Sequence, residues 1–337
     1  MELETIQRLP EILTAYLGER LPSVRNVSVT NVVRSAGGGS RSMWFFDAAW
    51  EGEALVAKQL TFRANESTCF RDAEASLEKE YRVFRALQET PIPVPANYWY
   101  ERDPKWAGED FVIRERVDGD GSFRELPAAR QRAILDHFVE LLAIQHNLDW
   151  NAMGLSFLGA PSDGADCARL VVETWERATK RELLEPQPVM TATMAWLKRN
   201  LPTAVDRIVL GQGQVGPGQF LHREDRVIAS LDWESAFIGD PMSDLAYLDL
   251  MVRPVIGDEA MAALIARYSE LSGIPIRRDN MRFYTVFQSY WAVSACLAAT
   301  NRFATGEMRK LQVLTLGVQA PRSFLRRMER IVREAAA

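Results

Sequence analysis

Residues 207–246 read Arg-Ile-Val-Leu-Gly-Gln-Gly-Gln-Val-Gly-Pro-Gly-Gln-Phe-Leu-His-Arg-Glu-Asp-Arg-Val-Ile-Ala-Ser-Leu-Asp-Trp-Glu-Ser-Ala-Phe-Ile-Gly-Asp-Pro-Met-Ser-Asp-Leu-Ala. Gly-Pro-Gly at 216–218 forbids helix, and the short apolar runs Phe220-Leu221 and Val227–Leu231 flank a polar turn at His222–Arg226. The stretch therefore reads as loop, short strand, turn, short strand, loop. Helical periodicity surrounds it, at 127–147, 166–184 and 188–200 before and at 241–252, 257–272, 278–302 and 307–335 after. A small hairpin set in a helical lobe is the expectation.

Upstream the period changes. Ile6, Leu9, Ile12, Leu13, Tyr16 and Leu17 follow helical spacing and predict an amphipathic lead-in helix. Val27–Arg34, Ser42–Trp50 and Glu53–Leu60 read as strands, the last two joined in a hairpin, followed by a helix over Asp72–Gln88 that Thr90-Pro-Ile-Pro-Val-Pro95 stops. Two more strands are expected at Tyr98–Glu101 and Asp110–Arg116, then a linker at Val117–Gly121. The domain plan is an N-terminal helix at 1–24, a sheet lobe at 25–117 and a helical lobe at 118–337.

Composition is that of ordinary globular material: 337 residues, 47% apolar, 25% charged. A formal charge of −5 gives no electrostatic reason for a nucleic-acid or anionic-membrane partner. No apolar run approaches the roughly 20 residues of a membrane span, and Cys69, Cys167 and Cys296 lack CxxC spacing. A cytoplasmic location and no structural zinc or disulfide framework are the expectations. The oligomeric state is not legible.

Five motifs occur in order. Ser35-Ala-Gly37-Gly38-Gly39-Ser40-Arg41 lies between two expected strands, where successive glycine N–H groups suit a phosphate. Leu55-Val-Ala-Lys58 follows the hairpin, and Leu77-Glu-Lys-Glu80-Tyr81 lies on the helix after it. Ile113-Arg-Glu-Arg-Val-Asp-Gly119 joins the lobes, and Asp232-Trp-Glu leads to Gly239-Asp-Pro and Asp244-Leu-Ala. From about residue 25 to 310 this order resembles the aminoglycoside phosphotransferase and choline kinase-like family. The resemblance implies an α+β, two-lobed protein-kinase-like fold, with an antiparallel sheet and one major helix in the first lobe and a mostly helical second lobe.

The resemblance further implies an ATP- and Mg2+-dependent phosphotransferase acting on a hydroxyl of a small molecule. Gly37, Gly38, Gly39 and Ser40 would meet the phosphates, as would Lys58. Glu80 would orient Lys58, whose ammonium on an apolar strand needs a partner if it points inward. Asp232 would bind the cation. Asp240 and Asp244 resemble structural residues, the latter placed to suit a helix dipole, and His146 resembles a packing position.

The family carries His-Gly-Asp, four residues, then Asn; here the register reads Gln212-Gly-Gln214-Val-Gly-Pro-Gly-Gln219. It is fixed by the Gly-Pro-Gly and by the 18-residue step from Gln214 to Asp232. Gln214 thus stands at the catalytic aspartate and Gln219 at the metal-binding asparagine. Leu221-His-Arg-Glu-Asp225 imitates a catalytic loop, but six residues before Asp232 leave no room for one. An amide cannot take a proton at neutral pH, and a general base contributes ~10²–10⁴ in rate. Glu234 is an alternative base, and a pseudokinase that binds nucleotide or metabolite as a regulator or scaffold is the alternative function. Phe283, Phe287, Tyr290 and Trp291 form an aromatic stripe that suits a core or an acceptor pocket.

Overall fold

The computed structural model describes residues 3–35, 41–52, 55–67, 76–307, 311–319 and 321–334. The glycine loop, with Gly37, Gly38, Gly39 and Ser40, lies outside the described residues, as does Cys69. The chain divides into two compact units, one of residues 1–85 and 95–118, the other of 86–94 and 119–337.

The first unit is a five-stranded antiparallel sheet of β1 (Arg25–Arg34), β2 (Arg41–Glu51), β3 (Leu55–Ser67), β4 (Asn97–Glu101) and β5 (Phe111–Glu115), in the order β1-β2-β3-β5-β4. The register sets Trp44 opposite Phe62 and Phe46 opposite Leu60. Because side chains alternate, those four share a face. They form one apolar cluster with Leu9, Leu13, Tyr16 and Leu17 of helix Leu9–Arg20. The expected lead-in helix is thereby accounted for, as a short turn of helix at Leu3–Gln7 followed by Leu9–Arg20 with Pro10 in its first turn.

Strand β3 runs to Ser67, seven residues past the expected Leu60, because residues 60–64 all pair with β5 and no glycine or proline interrupts them. That extension decides the fate of Glu80. The expected Lys58–Glu80 couple does not form. Lys58 has the parity of Leu60 and Phe62, and its Nζ donates to Tyr98 Oη at 2.9 Å while lying 4.4 Å from that ring's centroid. Arg63, five residues on, is on the opposite face. It donates to Glu80 Oε1 at 2.6 Å, and Arg114 of β5 lies 3.5 Å from the same oxygen. Arg114 also sits over the Phe84 ring of helix Leu77–Leu87.

Glu80 is wholly buried. Burial pushes its carboxyl up, but the guanidiniums of Arg63, Arg114 and Arg41 outweigh it and hold the group below the ordinary carboxylate range.

The second unit is helical: Ala128–Gln145, Gly164–Glu182, Pro188–Arg199, Met242–Ile256, Asp258–Ser272, Arg278–Ala304, Leu311–Gln319 and Pro321–Glu334. Of the single helix expected over 307–335, the described residues show Leu311–Gln319 and Pro321–Glu334 as helix. Ile134, Leu135, Phe138, Leu245, Leu248, Phe283, Phe287 and Tyr290 belong to one core. The aromatic stripe is mostly core: Phe283 stacks on Trp196, and the half-buried Trp291 meets Trp175 and Tyr247 edge-on.

Two small ribbons sit in this unit. β7 (Phe220–Arg223) and β8 (Arg226–Ser230) form the expected hairpin, with Asp225 in the turn paired to Arg130 at 2.9 Å. His222, expected in the polar turn, is instead a buried strand residue whose Nε2 lies 2.7 Å from Ser122 O. The second ribbon, β6 (Val209–Gly211) with β9 (Phe237–Gly239), was not foreseen. Gly211 faces Phe237 across it, and a Cβ there would lie 2.2 Å from the phenyl ring, so the ring's present position over the ribbon depends on the glycine.

Glu80→Gln removes a charge from a buried cluster of guanidiniums, so chemical denaturation should show a loss of about 3–5 kcal/mol. Lys58→Met should stay within about 1 kcal/mol. Since Glu80's carboxyl is lowered on folding, its stabilisation is present above the ordinary carboxylate range and is lost on acidification through the folded value. The Glu80→Gln difference should accordingly shrink at low pH.

Candidate active site

The β6–β9 ribbon brings two loops together. One, 212–219, leads from β6 to β7; the other, 231–236, leads from β8 to β9. The first is held by Asp244, in the opening turn of helix Met242–Ile256. Its Oδ2 accepts from Gln212 N at 2.8 Å and its Oδ1 from Gly213 N at 2.9 Å. The sequence reading gave this carboxylate to the helix dipole; the structure gives it to the loop. His146, read as packing, lies with Nε2 3.3 Å from Asp244 Oδ2 and Nδ1 2.6 Å from Tyr268 Oη, and all three side chains are buried. With Asp244 accepting, Nε2 carries the proton and Nδ1 accepts from the tyrosine.

Gly213 has φ +88°, and a Cβ there would stand 2.5 Å from Ser235 O, so glycine is required to press the loops together. Gln214 Nε2 consequently donates to Ser235 Oγ at 3.2 Å. Gln212 turns away and donates through Nε2 to Leu231 O at 2.6 Å. Leu231 N donates to Gln219 O at 2.8 Å, which pins the far end of the first loop to the start of the second. Asp232 has φ +60°, a left-handed conformation that costs a non-glycine residue about 1–2 kcal/mol. Glu234 is buried, at 2% exposure.

The structure therefore groups Gln214, Gln219 and Asp232. The Gln219 side chain lies beside both partners: its amide nitrogen donates to Asp232 Oδ2 at 3.1 Å and to Gly218 O at 3.2 Å. A carboxylate and an amide that can turn its oxygen forward are the hard oxygen donors that magnesium takes. Among the described residues no group of three or more His, Cys, Asp or Glu side chains could hold a metal without such help.

Ser235 was missed by the sequence reading, because nothing in an isolated serine signals a loop contact. Arg63 was missed because it lies beyond Leu60, the expected end of its strand; on the longer strand residues five apart lie on opposite faces, so Lys58 and Arg63 cannot both meet the same helix.

A model of the phosphotransferase enzyme family matches residues 33–284, and the chain belongs to that family. Among curated proteins, the rat acyl-CoA dehydrogenase family member 11 is 27% identical over 335 residues, covering 90% of this chain and 41% of that protein. The chicken protein of the same name is 33% identical over 253 residues, covering 68% and 32%. The chain spans about two fifths of the length of the rat relative.

Among solved structures, a Ralstonia eutropha protein provisionally described as an aminoglycoside phosphotransferase matches with TM-score 0.72 and 24% identity, over 96% of this chain and 98% of that one. A thermostable mutant of aminoglycoside phosphotransferase APH(4)-Ia, in ternary complex with AMP-PNP and hygromycin B, matches with TM-score 0.58 and 16% identity, over 98% and 99%. The fold is the α+β, protein-kinase-like one of these phosphotransferases. Among the described residues no helix is long and apolar enough to cross a membrane.

Asp244→Asn leaves one oxygen for two loop amides. A hydrogen bond to a charged group is worth about 1.5–3 kcal/mol, so exchange protection of the Gln212 and Gly213 amides should fall about 10- to 100-fold by hydrogen-exchange measurement. Asp240, at the far end of β9, accepts from Met242 N and Asn280 Nδ2, yet burial pushes it up to about 6. Between about pH 4 and 6 the native state keeps a proton that the unfolded chain releases, so this group's contribution to stability falls as pH rises. Urea unfolding of Asp240→Asn, relative to the parent, should shift in the mutant's favour by about 2–3 kcal/mol from pH 4 to 7.

Proposed function

We propose that this chain binds ATP with magnesium and is a small-molecule phosphotransferase whose transfer to hydroxyl acceptors is impaired. The observation that carries the reading is the grouping of Gln214, Gln219 and Asp232 on an intact loop scaffold: positions are kept while the proton acceptor is gone. Support for the nucleotide comes from the structural neighbour bound to AMP-PNP, and for a hydroxylated acceptor from hygromycin B in the same complex.

The proposed roles follow. Gly37, Gly38, Gly39 and Ser40 contact the phosphates through backbone N–H groups. Arg63, oriented by Glu80, takes the place expected of Lys58, because Arg63 is the strand cation that the buried carboxylate selects. Asp232 through its carboxylate, and Gln219 with its amide oxygen turned forward, would hold the cation. That ion would neutralise phosphate charge. Gln214 orients the acceptor without deprotonating it, and the lost base is worth ~10²–10⁴ in rate.

A second reading, a nucleotide-binding regulator or scaffold with no turnover, is favoured by one feature. From Ile208 to Leu221 there is no ionisable side chain. Single-turnover reactions with labelled ATP and magnesium separate the two. An enzyme should release phosphate slowly, Gln214→Asp should raise that rate by about 10²-fold or more, and Asp232→Ala should abolish it. Nucleotide-dependent thermal stabilisation with no turnover in any variant would instead support the regulator.

A further inference from the structure

Resting on the nucleotide-binding reading above, we propose that the acceptor this chain phosphorylates best offers an oxygen that is already ionised at neutral pH, a carboxylate or phosphate oxygen, in place of an alcohol. The loop that should supply a base has no titratable group over its whole length, from Ile208 to Leu221. Glu234, the nearest carboxylate in sequence after Asp232, is 2% exposed and so closed to a bound acceptor. Asp232 faces the amide of Gln219 at the proposed cation position.

What Gln214 presents instead is an –NH2 group. One of its hydrogens goes to Ser235 Oγ. The other has no protein partner among the described residues. An alcohol arrives carrying a hydrogen that must be removed, and an amide oxygen can accept a hydrogen bond from it but not the proton. An anionic oxygen arrives with nothing to remove, and an N–H donor complements it.

The step balances without a base. A lone pair on the acceptor oxygen forms a bond to the terminal phosphorus of the nucleoside triphosphate. The bond from that phosphorus to the bridging oxygen breaks, and its electron pair leaves with the nucleoside diphosphate. No proton is taken up or released. A carboxylate gives an acyl phosphate and a phosphate acceptor gives a phosphoanhydride. Gly213 maintains the geometry, since any side chain there would strike Ser235 O and move the hydroxyl that orients the amide.

The test uses the full chain with γ-labelled ATP and magnesium, and matched probes that differ in the acceptor group: butyrate against butanol, succinate against butanediol, and inorganic phosphate. Hydroxylamine in the mixture traps acyl phosphates as hydroxamates, which separates the carboxylate source from the phosphate source. ATP binding is followed in parallel by calorimetry. We expect label on a carboxylate or on phosphate at least about tenfold faster than on the matched alcohols, with the preference reversed by Gln214→Asp. Labelling of alcohols at an equal or greater rate, or no labelled acceptor while ATP binds, overturns the proposal. No ATP binding at all would sink the nucleotide reading itself.

Discussion

Two backbone N–H groups and one carboxylate hold the candidate site in shape. Asp244 accepts from Gln212 and Gly213 in the same turn of chain, and everything downstream depends on that grip. With those amides fixed, Gly213 is pressed against Ser235, Gln214 is directed to the serine hydroxyl, and Gln219 is carried to Asp232. The carboxylate is itself fully buried, an expensive place for a charge unless several donors serve it. Here two amides and the His146 ring do so, with Tyr268 completing the chain. A loop with no regular structure of its own becomes a rigid platform because its polar backbone is satisfied by a helix terminus.

The same logic governs the first unit on a different scale. Glu80 is buried under a helix, and the side chain that can reach it is decided by strand parity before any preference between lysine and arginine enters. Arginine's planar, always-charged group then suits the buried position better than an ammonium, which is more strongly hydrated. Lys58 is left to a tyrosine on the other face.

These cases show how far the residue pattern could be read. The helices of the second unit as far as Ala304 were visible to within a few residues because their apolar periodicity is long and regular. The β7–β8 hairpin was visible because Gly-Pro-Gly and a polar turn bracket two apolar runs. The grouping of Gln214, Gln219 and Asp232 was implied by the family resemblance, whose register carries the three roles onto these positions. By contrast the β6–β9 ribbon has three residues per strand, too few for a period of two to register, and its evidence is a steric one: Gly211 against Phe237. Asp244's true partners, and those of His146, come from 31, 32, 98 and 122 residues away, beyond any local pattern. Lys58 was paired with Glu80 because its strand was ended at Leu60, short of Arg63.

What distinguishes this chain is thus a preserved scaffold carrying three amides where the resemblance expects an imidazole, a carboxylate and a shorter amide. An amide keeps hydrogen-bonding capacity and forfeits charge, which is why the proposed function separates binding and orientation from proton transfer. The most direct measurement is a crystal structure with a non-hydrolysable ATP analogue and magnesium. The account predicts Asp232 and the Gln219 amide oxygen on one cation, Arg63 rather than Lys58 toward the phosphates, and the Gln214 amide beside the terminal phosphate. A nucleotide bound elsewhere, or a Gln219 that keeps its nitrogen on Asp232 with magnesium present, would contradict it.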